Sequence, residues 1–518
     1  MRLFALALCL AAGTAAAGPA DSLAIRQETF RLDNGLTVVV HEDHSVPLVS
    51  VNTWYHVGSR DEERGRTGFA HLFEHFFFNG SEHYPHGFRE AMDDLGATTR
   101  NGTTNTDRTN FFEDVPVAAL DRTLYLEADR MGFLAAQIND EMLTRERGVV
   151  QNEKRQGENQ PYGRVYDRLV ETMYPYSHPY SWSTIGSMAD LDAASLADVR
   201  DWYTRWYAPN NAVLVLAGDI TVARARELVQ KYYGGIPAGA PVPRLSRWLP
   251  ALDTDIRDTM QDRVPQARIY RAWHVPGWGE ADAHALEVYA ATLAGSDAAP
   301  LTRRLVFEKQ LATDVSVEVA TSEIAGVFIA TASVKPGVDP AEVEREMDAV
   351  IADSLAKVAI ALDRLGEFDA AIPLFQEAIR ISPDTLNNSY LVLVRALILR
   401  ERYSEALQVV PKALSRYSQN PDRTRRIQEF AQLAQAGAGP EGLKSAQTQR
   451  FLQEYIESAR RSAGDHPKDS GALRRMALLH LWQGETNAYL DHHSAAAYLA
   501  MSRQWPILAE QSLHALRR

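Results

Sequence analysis

The chain is nearly without cysteine: of 518 residues only Cys9 carries a thiol. It lies in MRLFALALCLAAGTAAAGPA, which has one arginine, an apolar run over residues 3–12 and small residues ending at Ala17. That is the pattern of a cleaved secretory leader. Leu8 stands before Cys9 where a lipoprotein signal requires a small residue, so lipidation is the weaker reading. Cleavage near Ala17 would leave a chain with no thiol, which excludes disulfides and thiolate ligands and leaves any metal to histidine and carboxylate. Residues 1–17 are therefore expected to be a signal peptide and the mature protein periplasmic or otherwise exported; the alternative is an uncleaved apolar helix.

A net positive charge is missing as well. Lys plus Arg is 54 and Asp plus Glu is 67, a net charge of −13 with a pI near 5.6. A general nucleic-acid binder is excluded, because phosphate neutralisation needs a basic surface. Long apolar runs are missing too, the leader's falling short of the roughly 20 residues that cross a bilayer. With 45% hydrophobic and 23% charged residues, the chain has the balance of a soluble globular protein, and its length predicts several domains.

What is present is ordered along the chain. From Glu28, TFRLDNGLTVVVHED places Asn34-Gly35 between two apolar runs, a hairpin signal. Residues 47–59 read as a further strand, 68–78 and 87–95 as helices, and the Thr- and Asn-rich stretch TTRNGTTNTDRTNFFEDVP as paired or edge strand. Helices are predicted over 118–137 and 140–158, a buried strand over 212–220 and a helix over 222–233. Trp202, Tyr203, Trp206 and Tyr207 form a core stripe. The Pro-rich passage 236–250 has linker composition. Beyond it strands and helices resume: RIYRAWHVPG as strand, 281–293 and 299–309 as helices, TDVSVEVA and VFIATASVKPG as strands. The fold class is α+β in both regions, with helices on one side.

After about residue 352 strands stop. Ala359, Gly366, Phe368, Ala371, Phe375, Ala378 and Pro383 occupy the positions of a helix-turn-helix unit of about 34 residues, resembling a tetratricopeptide repeat. A weaker unit follows with Tyr403, Ala406 and Ala413, and residues 471–518 are helical only loosely in register. An ordinary Ala-rich helical domain is the alternative. The expected organisation is residues 1–17 leader, 18–235 metal-binding catalytic domain, 236–353 a partial second domain of the same kind without metal, and 354–518 a helical-repeat region.

The chemistry centres on His71-Leu72-Phe73-Glu74-His75. Positions i, i+3 and i+4 share one helix face, so His71 and His75 can point at one metal with Glu74 beside them. A catalytic zinc takes three protein ligands and leaves a fourth position open. The third should be a carboxylate from another helix. In ERGVVQNEKR, Glu146 and Glu153 stand seven residues apart, nearly two turns, and face the same way. Glu153 can close the site with Glu146 one layer behind. The alternative is an amphipathic helix with two surface histidines, disfavoured because Phe69, Leu72, Phe73 and Phe76–Phe78 surround the polar face. The other histidines, His41, His44, His56, His83, His86, His178, His492 and His493, lack partner spacing and read as solvated or hydrogen-bonded side chains.

HLFEH followed by ERGVVQNE resembles the pitrilysin and insulysin group of zinc peptidases, the inverzincins, whose motif runs H-x-x-E-H. NGLTVVV, NGTTNTDRTNFF and VLVLAGDI are also similar to that group's catalytic domain. The resemblance covers roughly residues 30–235 and more weakly 266–352. It implies zinc (Zn2+) ligation by His71, His75 and Glu153, with Glu74 as general base and Glu146 as supporting carboxylate. Asn105, Thr106 and Thr109 either belong to an edge strand that pairs with an extended peptide or form an ordinary polar strand face.

Two features depart from the group. The second half is short, and the Arg and Tyr that assist at the substrate carbonyl in insulysin-like members fall on Val306 and Thr313. Division of labour between metal-bearing and metal-free chains in the family implies a second peptidase-like subunit or a second copy as partner. The expected function is an exported zinc endopeptidase acting on peptides or unfolded segments. The alternatives are a weak or inactive adaptor that binds protein partners through the helical-repeat tail, and an assembly scaffold for a separate catalytic chain.

Overall fold

The structure is a computed structural model describing residues 25–252, 254–365, 367–383 and 388–439. The leader with Cys9, Gly366 and the helical end at 471–518 with His492 and His493 lie outside the described residues. The chain forms two compact units, one running to Pro265 and including Ser322–Ala325, the other holding Gln266–Thr321 and continuing from Gly326.

The first unit is a six-stranded sheet with helices on one face. Strands β1 (Glu28–Arg31), β2 (Thr37–Glu42), β3 (Leu48–Tyr55), β4 (Thr99–Thr104), β5 (Thr109–Pro116) and β6 (Ala212–Gly218) lie in the order β1-β2-β6-β3-β5-β4. The Asn34-Gly35 turn joins an antiparallel β1–β2 pair, β2 and β6 run parallel, and the other pairs are antiparallel. Alternation sets the core: Val49, Val51, Thr53 and Tyr55 of β3 are buried while their neighbours are not, as a pleat with one covered face requires. Val38 and Val40 of β2, Leu214 and Leu216 of β6, and Phe111 and Val115 of β5 complete that face.

The helices are α1 (Phe69–Phe76), α2 (Phe88–Asp94), α3 (Leu120–Phe133), α4 (Asp140–Glu158), α5 (Val165–Met173), α6 (Met188–Ala193), α7 (Leu196–Trp206) and α8 (Val222–Tyr233). Side chains set several starts: Asn139 accepts from Met142 N (3.0 Å) ahead of α4, and Thr221 accepts from Arg224 N (3.2 Å) ahead of α8, each satisfying an orphan helix donor. Tyr203, Trp206 and Tyr207 are buried in the same core. The helix expected over 118–137 is shorter, with 3-10 turns at Val117–Ala119 and Leu134–Ala136 flanking α3.

Several ionisable groups are enclosed in this core, Arg130, Glu113 and Glu127 among them. Arg130 of α3 donates to the Phe77 carbonyl (3.3 Å) and to Glu127, while its guanidinium lies 3.6 Å from the Phe88 ring centroid. Glu127 also accepts from Thr53 Oγ1 (2.7 Å), and Glu113 lies 3.8 Å from the same guanidinium, its carboxyl raised by burial and by Glu127 beside it.

The second unit has three antiparallel strands in the order β7 (Arg268–Val275), β9 (Gly326–Val334), β8 (Ala312–Thr321), covered by α9 (Ala281–Ala294) and α10 (Pro340–Leu365). The helix expected over 299–309 is instead a single α turn at Pro300–Thr302 followed by a π-helical turn at Arg303–Glu308. Helices α11 (Phe368–Ile381), α12 (Ser389–Leu399), α13 (Tyr403–Arg416) and α14 (Pro421–Gly437) follow. Ala359, Ala371, Phe375, Ala378, Ala406 and Ala413 are all completely buried, the small and aromatic residues letting successive helices approach closely. Because α10 is unbroken, the sheet and these helices share one continuous core.

Candidate metal centre

Helix α1 is built around its apolar stripe. Phe69, Leu72, Phe73 and Phe76 are buried, the i, i+3, i+4, i+7 pattern of a helix laid on a core. That turns His71, Glu74 and His75 to the opposite face, where each is half-buried. The helix begins at Gly68 in the left-handed region (φ 92°), where a side chain would also meet the Ile185 carbonyl oxygen at 2.8 Å. Glycine offers no capping side chain. Buried Glu62 replaces it, accepting from Gly68 N (3.0 Å) and Ala70 N (2.9 Å), with Trp182 Nε1 as a third donor (3.0 Å).

Helix α4 supplies the acids. Its buried positions are Leu143, Glu146 and Val150, and Glu153 emerges from the same face two turns on. His71 Nε2 lies 3.7 Å and His75 Nε2 3.4 Å from Glu153 Oε2. Ligand atoms of all three residues lie within 4.8 Å of one another. Tetrahedral zinc with bonds of about 2.0–2.2 Å separates its ligand atoms by about 3.3–3.5 Å. Two imidazoles and one carboxylate therefore fit zinc in chemistry and in spacing, and three protein groups leave a fourth direction free. The Glu153 side chain is 52% exposed, against 13% and 20% for His71 and His75, so the site opens to solvent on the α4 side.

Behind the imidazoles stands Glu146. Its Oε2 is 3.6 Å from His75 Nδ1, and its Oε1 accepts from Arg145 Nε (3.0 Å) and Asn79 Nδ2 (3.2 Å). Asn79 Nδ2 also donates to the His75 carbonyl (3.0 Å), and Arg145 donates to Asn79 Oδ1. Burial raises the Glu146 carboxyl, but its bonds to His75, Arg145 and Asn79 outweigh this and hold it below the usual carboxylate range. Burial lowers His75 while Glu146 and Glu153 more than offset it. Burial and then His75 push His71 well below the ordinary imidazole range, which keeps it in the neutral form that binds metal. Among the described residues His71 Nδ1 is buried without a hydrogen-bond partner.

Glu74 points toward β4. Its Oε2 accepts from Thr104 Oγ1 at 2.6 Å, and burial raises its carboxyl, the direction that suits a proton acceptor. Gly102, one pleat position away, has no room for a side chain: a Cβ there would come within 3.0 Å of Glu74 Cγ, Phe111 and Phe78.

β4 is the edge of the sheet. Asn105 N donates to the Arg108 carbonyl (3.0 Å), and antiparallel alternation then directs the backbone groups of Thr103 inward and those of Gly102 and Thr104 outward. The sequence-based placement of Asn105, Thr106 and Thr109 on such an edge is corrected here. Asn105 and Thr106 form the turn after β4, and Thr109 is buried in β5 with its hydroxyl on the Val57 carbonyl (3.0 Å). Of the other described histidines, His41 is bonded to the Arg26 carbonyl (2.7 Å), His44 to Asp219 (2.6 Å), His56 to Glu323 (2.5 Å), His83 to Asp129 (2.6 Å) and His178 to the Trp248 carbonyl (2.9 Å). Val306 packs against the second unit's core, and Thr313 Oγ1 accepts from Gln266 (2.7 Å).

Sequence reasoning missed Thr104, Gly102, Asn79 and Glu62. Asn79 stands four residues after His75 and was within reach of helical spacing; the other three act across elements, which spacing does not report.

Residues 37–183 match the family model for insulinase (peptidase family M16), residues 193–359 the M16 inactive domain and residues 351–386 a tetratricopeptide repeat. The chain is 30% identical over 358 residues to the zinc protease PqqE of Helicobacter pylori, covering 68% of this chain and 79% of that one. It is 25% identical over 276 residues to the mitochondrial-processing peptidase subunit beta of Blastocladiella emersonii, covering 53% of this chain and 58% of that protein. In structure it is similar to a protease from Helicobacter pylori, with a TM-score of 0.59, 24% identity, and coverage of 78% of this chain and 96% of that one.

Proposed function

Because the chain belongs to peptidase family M16, we propose that it is an exported zinc-dependent endopeptidase acting on peptides or unfolded protein segments. The observation that carries the reading is the convergence of His71 Nε2, His75 Nε2 and Glu153 Oε2 from two helices. These three residues would hold zinc. A zinc ion bound there supplies Lewis acidity, polarising a peptide carbonyl and lowering the pKa of water toward about 7.

The chain's own groups do the rest. Glu74 takes the proton of the attacking water and returns it to the leaving amine, and Thr104 fixes one of its oxygens so that the other faces the reactants. Glu146 orients His75 through Nδ1. The outward backbone groups of Gly102 and Thr104 pair with an extended peptide as an added strand, which places a scissile bond beside Glu74.

In this reading residues 18–235 are the catalytic domain, 236–353 a partial metal-free domain and 354–518 a repeat region that contacts protein partners. A second peptidase-like chain, or a second copy, supplies what Val306 and Thr313 lack. Residues 1–17 direct export, in keeping with a periplasmic protein.

The test is hydrolysis of a quenched peptide by zinc-loaded protein and by its Glu74→Gln variant. Turnover only in the parent supports the peptidase. Equal turnover, or none in either, favours the second reading, an adaptor working through its repeat helices, for which the match at 351–386 speaks.

A further inference from the structure

The β4–β5 turn carries a guanidinium that peptide hydrolysis as described leaves unused. Arg108 is half-buried. Its Nη1 donates to the Thr103 carbonyl (2.8 Å), to Asn110 Oδ1 (2.9 Å) and to Thr103 Oγ1. The guanidinium carbon stands 5.0 Å from the Trp54 ring centroid. Asn110 is itself 5% exposed and anchored by donating to Asn52 Oδ1 (3.1 Å).

Every one of these acceptors is neutral. Among the described residues no carboxylate forms an ion pair with Arg108, and its Nη2 and Nε make no hydrogen bond. The carboxylates that act on it from a distance are Glu74 and Asp107. Asp107 is already engaged by Arg60 (3.0 Å) and by the Tyr180 hydroxyl (2.5 Å). Burial lowers the Arg108 pKa, as it must for a cation drawn partly out of water without a counter-charge. The guanidinium is held rigid by one nitrogen while its remaining edge stays open, the fork geometry that takes a carboxylate through two parallel bonds.

Its place gives the partner. A peptide added to β4 alternates its side chains, one set toward α1 and the other toward the face of Thr103, Asn110 and Trp54. We propose that Arg108, with Thr103, Asn110 and Trp54, forms a cationic subsite that receives an acidic side chain, Asp or Glu, of the bound peptide within a few residues of the scissile bond. The subsite rests on the peptidase reading above.

The experiment uses the zinc-loaded full chain and pairs of quenched peptides that differ only in Glu against Gln, scanned over the positions flanking the cut. Within each protein the ratio of kcat/KM for the two peptides is read. A charge-assisted bond predicts a preference for Glu of about tenfold or more at one position, shrinking as salt rises. Arg108→Gln is expected to bring that ratio to one and Arg108→Glu to invert it. Should Arg108→Gln fail to fold, Arg108→Lys keeps the charge but loses the fork, and the preference should keep its sign with a smaller value. The same pairs are titrated by fluorescence anisotropy against zinc-loaded Glu74→Gln, with and without Arg108→Gln, so that binding is read without turnover. Equal affinity and equal kcat/KM for both peptides at every position, or a Glu preference that survives Arg108→Gln, overturns the subsite. No hydrolysis together with an Arg108-dependent Glu preference in binding sinks the peptidase reading alone.

Discussion

Thr104 Oγ1 donates a 2.6 Å hydrogen bond to Glu74 Oε2, tying the acid of the metal helix to the edge strand that lies open for a peptide. In the proposed mechanism this bond fixes proton acceptor and peptide-pairing strand to each other. Glu74→Gln should lower kcat by about 10²–10⁴-fold with zinc content unchanged. Thr104→Val should lower kcat by about tenfold with little change in KM, and Thr104→Ser should restore it. Steady-state kinetics beside metal analysis separates these outcomes from loss of fold.

Removal of metal ligands should act differently. His71→Ala, His75→Ala and Glu153→Ala should each leave purified protein without stoichiometric zinc, measured by elemental analysis. Glu146→Gln keeps all three ligands and loses the charge behind His75, so zinc affinity should fall by about 10–100-fold. A competition titration with a chromophoric chelator reads that shift.

Glu62 stands in for the cap that Gly68 cannot provide. Glu62→Ala strands two buried donors, on Gly68 and Ala70, at about 1–3 kcal/mol for each lost partner, while Trp182 Nε1 keeps the Ser59 carbonyl (3.0 Å). A loss of at least ~2 kcal/mol in chemical unfolding is expected. Zinc affinity should weaken in parallel, because both histidines ride on the helix whose start is undone.

The acid limb of stability should depend on Glu323. Burial raises its carboxyl, but His56 (2.5 Å) and Arg60 (2.6 Å) prevail and bring it from 4.5 to about 2. A carboxyl whose folded pKa is depressed stabilises fully above its unfolded value and loses that contribution as pH falls through the folded one. Its share should therefore fade between about pH 4.5 and 2. The side chain is 39% exposed, so solvent screening keeps the contribution modest. Glu323→Gln should flatten the fall in unfolding free energy over that window and leave its slope above pH 5 unchanged, as followed by denaturant titrations at stepped pH.

That His71 and His75 share one helix face, and Glu146 and Glu153 another, was legible in the sequence because helical periodicity is local; that the two faces meet was implied by the family resemblance and not by spacing. α4 and α8 fell on their expected boundaries for the same reason, each with a polar cap. Residues 303–308 did not, because a π turn preserves a helix former's composition while changing its hydrogen bonds. The edge strand was readable as strand but not in register, and Asn105 and Thr109 were assigned to the wrong places. A Thr- and Asn-rich run marks neither where it turns nor which partner it takes until β5 is laid beside it. Thr104 and Glu62 were invisible because their contacts join segments that no spacing rule connects.

With zinc held as proposed, the unequal exposure of His71, His75 and Glu153 has a kinetic meaning. With both imidazoles sheltered and the carboxylate standing half in water, the acid is the natural first point of contact for an arriving ion and the last to let one go. Loading should then be reversible, with chelators stripping the centre while the folded chain stays intact and recovers on resupply.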